Sequence, residues 1–230
     1  MTTETGFRRA RRPEQKQQRR EAILAAARQL ALRDGVRSVT LTDIADQVGI
    51  HKSALLRYFE TREQIFLELT ARGWRGWSAA LHAGLDAAAP GAPGSPALVA
   101  DVVARSFTGR PLLCDLIPHT ALDLERHASL EAVRRYKLTS LGAVSDAAGV
   151  IHRVLPDLTE GECRDFVATM ASLAGAMWQI ASPPPALAQL YAADPQLAHA
   201  RVDLLPRLRR TAQILLAGLI PSRAAPADLP

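Results

Sequence analysis

Cysteine, long apolar runs and recognisable catalytic motifs are what this chain has least of. With only Cys114 and Cys163 among 230 residues, neither a disulfide framework nor a four-cysteine zinc site can be built. No apolar stretch approaches the roughly 20 residues that span a bilayer, so no membrane partner is expected. The arginine-rich start has no apolar segment behind it, which argues against a secretory signal and makes the cytoplasm the expected location. The six histidines, His51, His82, His119, His127, His152 and His199, include no pair at His-x-x-x-His spacing. His119 and His127 stand near Asp115, Asp123 and Glu125, but solvated or capping roles suit them equally, and no metal is expected. A nucleophile elbow, a phosphate-binding loop and a dinucleotide glycine pattern are all missing, so neither enzyme activity nor a cofactor is expected. Cys114 reads as a small buried hydrophobe, with nothing beside it to lower its pKa.

What is present suits a folded protein of one or two domains: 48% apolar residues, 22% charged, and a mean hydropathy of −0.01. Positive charge is concentrated at one end. Residues 1–20 hold Arg8, Arg9, Arg11, Arg12, Lys16, Arg19 and Arg20 against Glu4 and Glu14, an excess equal to the formal +5 of the whole chain. Everything after residue 20 is balanced. Such an arm either lies solvated as a tail or contacts phosphates.

Beyond the arm the apolar residues recur at helical spacing. Ile23, Ala26, Ala27, Leu30 and Ala31 mark one face of a helix from about Glu14 to Asp34, with Gly35 where a left-handed cap belongs. Thr40-Leu-Thr-Asp43 is a capping-box start, followed by Leu41, Ile44, Ala45 and Val48, and Gly49 stops that helix. A second short helix is predicted over about Lys52 to Phe59. Thr61-Arg-Glu-Gln64 opens a longer one to about Ala88. Residues 89–96, with three prolines, form a linker. Helical pattern then resumes: a segment from about Leu122 to Leu155 with a candidate break at His127–Ser129, another from Thr159 to the prolines at 183–185, and a last helix over about Val202 to Leu219. No strand signal competes with this, and the fold is predicted to be all-α.

Two short helices separated by Gly49-Ile50 fit a helix-turn-helix, whose second helix enters the major groove. His51, Lys52, Ser53 and Ala54 form its leading turn, where side chains reach base edges. Small residues at 53 and 54 permit close approach, and Lys52 can donate to guanine O6 or N7. A plain helical hairpin has the same spacing.

These residues resemble the TetR-type one-component transcriptional regulators. The resemblance covers about Arg19 to Leu69, through Ile23–Ala27, Gly35, Thr40–Ile50, Lys52–Phe59 and Arg62–Phe66, and it is specific as a set. It implies that Thr40 bonds a phosphate from a helix cap and that Thr42 lies near base edges or backbone. It also implies that Lys52 and Ser53 face the groove floor, while Arg57, Tyr58 and Arg62 bind flanking phosphates. Two positions depart from the family. His51 stands where a small hydroxyl residue is usual and caps less well, although it can itself contact a base or phosphate. Leu56 replaces a tyrosine and removes one phosphate-binding hydroxyl.

The resemblance further implies an N-terminal three-helix DNA-binding domain and a larger helical domain that dimerises through a four-helix bundle. The expected divisions are a basic flexible arm at 1–18, a DNA-binding domain at 19–64 with its motif at 40–59, a ligand-binding and dimerisation domain at 65–220, and a flexible tail at 221–230. Residues 159–181 are apolar or small on nearly every side, so they pair either with a second subunit or with the chain's own core. Candidate interface residues are Phe166, Met170, Leu173, Gly175, Ala176, Leu208 and Leu215. Trp77, Val102, Phe107, Leu112, Leu116, Tyr136 and Trp178 either line a small-molecule pocket or fill a core. The expected function is a homodimeric repressor, released from a palindromic DNA operator by a small, moderately hydrophobic effector. The alternatives are a ligand-independent DNA-binding or architectural protein, and an α-helical enzyme with an N-terminal hairpin.

Overall fold

A computed structural model describes residues 4–88, 94–200 and 202–220, and those residues contain ten α-helices and no strand. Of the expected linker at 89–96, residues 89–93 lie outside the described residues, as does the tail at 221–230, while Ser95 caps the helix that begins at Pro96. The first helix, α1, spans Glu4–Asp34, so most of the arm expected to be flexible is helical. Arginine, glutamine, lysine and alanine are all strong helix formers, and Gln17 adds a bond to Glu21 one turn on (2.8 Å). Charge density alone says nothing about backbone order.

The chain divides into two compact units. One comprises the chain through Leu69 together with Thr120–Arg134; the other comprises Thr70–His119 and the chain from Arg135 onward. The expected boundary at 64/65 falls inside a helix, α4. In the first unit, α1 is followed by a 3-10 turn (Val36–Ser38), α2 (Leu41–Val48), α3 (Lys52–Leu55) and the start of α4 (Arg62–Ala88). A π-helical turn at Thr120–Leu124 and the start of α7 (Leu130–Val154) complete it. Ile23 and Ala27 of α1, Ile44 of α2, Leu55 of α3, Phe59, and Ile65 and Phe66 of α4 are at most 1% exposed. Burial of each large apolar side chain contributes about 1.5–3 kcal/mol, which holds the short α2 and α3 in place.

The second unit adds α5 (Pro96–Thr108), α6 (Pro111–His119), α8 (Glu160–Ala181), α9 (Pro185–Ala193) and α10 (Leu204–Leu219). Its main pairings set α10 against α5 and α8 against α6. Arg209 of α10 reaches Asp101 of α5 at 2.8 Å, and Gln179 of α8 donates to Asp115 of α6 at 2.8 Å. The predicted helices at 159–181 and 202–219 are found as α8 and α10. By contrast, α9 carries no sequence signal of its own: it has no buried residue, so no stripe distinguishes it from a loop rich in alanine and proline.

Candidate nucleic-acid interface

The motif is held by backbone chemistry at both ends of α2. Thr40 is extended (φ −105°, ψ 166°) and its hydroxyl accepts from Asp43 N–H at 3.2 Å, while Thr40 N–H donates back to the Asp43 carboxylate at 2.8 Å. The hydroxyl proton is also directed at that carboxylate, at 2.7 Å. The Thr40 hydroxyl, then its N–H, holds the Asp43 carboxyl below its ordinary 3.8. Thr40 is therefore a cap in this structure. The hydroxyl proton that the implied phosphate bond would use is here donated to the Asp43 carboxylate.

At the other end Gly49 adopts the left-handed region (φ 70°, ψ 40°), and Ile50 N–H bonds Ala45 C=O at 3.0 Å, closing a Schellman-type stop. His51 begins α3 with no side-chain cap, as its chemistry suggests. The helix predicted to run to Phe59 ends after four residues, at Leu55. Arg57 and Tyr58 N–H groups bond back only three residues, to Ala54 and Leu55, so the chain tightens into a 3-10 turn. Arg20 braces this turn: its guanidinium donates to Tyr58 C=O (3.0 Å), lies 4.1 Å over the Phe59 ring and pairs with Glu68. In the sequence Arg20 stands out only as one more charge of the basic arm.

The outward face then carries Thr42, His51, Lys52, Ser53, Leu56 and Arg57, all exposed, with Ala54 and Tyr58 half-buried. Leu55 and Phe59, 0% and 1% exposed, anchor the opposite face. A short helix thus presents a lysine, a serine and a small residue on a rigid base, the combination that major-groove reading requires.

Arg62 belongs elsewhere. Its side chain is 16% exposed, donates to the carbonyls of Val36 and Val39, and pairs with Glu63 at 3.2 Å and Asp123 at 3.8 Å. The guanidinium lies 4.6 Å over the Phe66 ring. It pins the turn leading into Thr40, a structural role beyond the flanking phosphate contact expected of it. No local spacing in the sequence connects Asp123 to Arg62, so nothing there signals the pair.

The other candidates lie in the second unit. Trp77 is fully buried, donates to Ser106 at 2.9 Å and stacks on Phe107 with centroids 4.8 Å apart. Leu116 is equally buried and Tyr136 nearly so, whereas Val102, Leu112 and Trp178 are half-buried. Of the interface candidates, Phe166, Met170, Gly175 and Leu208 face the unit's own core. At Gly175 a Cβ would stand 2.9 Å from Pro118 Cδ and 3.1 Å from Ile117 Cγ2, so this small residue serves close approach to α6 within one chain. Leu173 and Leu215 are half-buried and Ala176 is exposed. Cys114 and Cys163 are buried thiols; burial first, then neighbouring carboxylates, push them up to about 12 and about 11.

Comparison with known proteins adds two family matches. Residues 23–69 match the model for bacterial regulatory proteins of the tetR family, and residues 71–223 match the tetracyclin repressor-like C-terminal domain. No curated protein matches the chain. Among solved structures, the TetR family transcriptional regulator PfmR from Thermus thermophilus is similar over 86% of this chain and 98% of its own, at 18% identity and a TM-score of 0.54. The fatty acid degradation regulator FadR from Bacillus halodurans aligns over 87% and 96%, at 14% identity and 0.55. A possible TetR family transcriptional regulator from Streptomyces coelicolor A3(2) aligns over 89% and 100%, at 18% identity and 0.59. At these identities the solved structures speak for the fold.

Proposed function

Because the chain belongs to the TetR family of bacterial regulatory proteins, and so to the DNA-binding transcriptional regulators, we propose that it is a cytoplasmic, homodimeric repressor that leaves a palindromic operator when a small, moderately hydrophobic molecule binds. The observation carrying this reading is the exposed leading turn of α3, with Lys52 and Ser53 set on a buried Leu55–Phe59 base. In it Lys52 reads a base edge, Thr42, His51, Ser53 and Ala54 shape the groove contact, and Arg57 and Tyr58 bind phosphates.

A dimer supplies two such units about 34–36 Å apart, one helical turn of DNA. Support for it comes from the outer side of α8 and α10, where Ile180 and Ile214 are 56% and 62% exposed beside Ala176. Phe166, Thr169, Leu215, Gly218 and Leu219 line a cleft of about 300 Å³ there. For the effector, a cleft of about 620 Å³ with Ile180, Pro183, Ala188, Tyr191 and Val202 in its walls has suitable size and polarity. The packing of Trp77 on Phe107 favours a second reading at the position first expected for the pocket, a regulator that needs no ligand.

A shift assay with DNA flanking the protein's own gene, paired with sedimentation, tests the proposal. The expected result is a sequence-specific complex of two chains per palindromic site. Tight binding of a palindrome by a monomer would refute the symmetric mechanism, and no binding to any duplex would refute the DNA reading. A screen of small hydrophobic molecules for operator release separates the two readings of the second unit.

A further inference from the structure

Five arginines and lysines surround the recognition turn, and they fall into two groups. Arg20 and Arg62 are committed to carbonyls, carboxylates and aromatic faces. Lys16, Arg19 and Arg57 have no ion pair among the described residues. These three line one groove of about 700 Å³ between α1 and the turn after α3, with Gln15, Gln18 and Tyr58 beside them and no carboxylate in the wall. A concave surface with three unpaired cations and several neutral donors concentrates anions. Arg57 joins it directly to the recognition turn.

Because α1 is helical from Glu4, the groove also has a direction. Lys16 and Arg19 stand three residues apart, on one row of that helix. We propose that this groove is a phosphate rail: Lys16, Arg19 and Arg57 seat backbone phosphates of the duplex that flanks the half-site, whatever its sequence. This rests on the DNA-binding reading and enlarges the operator beyond the bases that α3 can reach.

The test compares the full chain with a Lys16→Gln/Arg19→Gln variant, on the operator with long flanks, the operator trimmed to its half-sites, and random duplex, from 50 to 200 mM salt. Glutamine keeps the helix propensity, and circular dichroism checks the fold. The unaltered protein should lose affinity when the flanks are trimmed. In the variant the slope of log affinity against log salt should fall by about 1.8, from about 0.9 per lost phosphate contact. The variant's preference for operator over random DNA should stay unchanged, and trimming should no longer matter. A salt slope equal to the unaltered protein's, or a loss confined to operator DNA, would overturn the rail while leaving the DNA reading intact. So would an unchanged slope with lost binding to phosphatidylserine vesicles, which would reassign the groove to lipid. Failure of the unaltered protein to bind any duplex is the separate failure of the DNA reading, and it removes the rail too.

Discussion

Gly49 and Gly175 each sit where two helices must be arranged, and they do opposite jobs. At Gly49 the backbone lies at φ 70° and a Cβ would meet nothing within 4 Å, so the residue supplies a conformation. At Gly175 the backbone is helical and a Cβ would collide with Pro118, so the residue supplies space. The first requirement is local: a capping box, a stop and a leading turn lie within twenty residues. The second depends on a partner nearly sixty residues away in sequence. The α2–α3 region is therefore assembled from neighbours, and the α8–α6 packing from distant chain.

The sharpest way to break this comparison lies at adjacent residues of α8. Gly175→Ala should cost about 1–3 kcal/mol by overpacking, and Gly175→Glu should prevent the second unit from folding, since it also buries a charge. Chemical denaturation followed by circular dichroism measures both. Ala176→Glu, one residue on but exposed, should leave stability within about 0.5 kcal/mol. Sedimentation should then show a monomer if that face carries the dimer. Equal destabilisation at both residues would erase the distinction between core and outer face.

The next test separates residues within the motif. Lys52→Ala should remove about 1–3 kcal/mol of discrimination between operator and random DNA. Arg57→Ala should weaken all sequences alike and flatten the salt slope by about one. Titrations on both duplexes across salt concentrations read the two effects apart.

The smallest effect belongs to the cap. Thr40→Ala should cost about 1 kcal/mol of stability, measured by urea unfolding at pH 7. The Asp43 carboxyl titrates below its ordinary 3.8 in the folded chain. Its contribution is thus fully present above that value and is lost as pH falls through the lowered one. Comparing acid unfolding of the protein with its Asp43→Asn variant should show the difference between them shrinking below about pH 4.

Legibility follows the same local-to-distant gradient. The Thr40–Asp43 box, the Gly49 stop and the apolar faces of α1, α2 and α4 are readable because each depends on residues three to five apart. The turn after α3 is not, because Arg20, more than thirty residues upstream, braces it through Tyr58 C=O and the Phe59 ring. Arg62 carries a residue type that suits phosphate binding, and only its neighbours Val36, Val39 and Asp123 reveal its other use. In α8 the smallness of Gly175 is plain, but composition cannot say which surface comes close. The helical state of the arm is hidden from a reading of charge and visible only to one of helix propensity.

The π-helical turn at Thr120–Leu124 bears on how such a regulator can be recombined. Its Asp123 completes the set of partners around Arg62, and it lies in the same compact unit as α2 and α3, although fifty residues of the other unit separate them in the chain. A chimera spliced once, after Leu69, would transplant the reading head without Asp123 and leave Glu63 as the acid paired with Arg62. A working graft would have to carry residues 120–134 as a second insert. Exchange of the two units in this chain is therefore a two-junction problem, and the second junction is invisible to a cut made along the sequence.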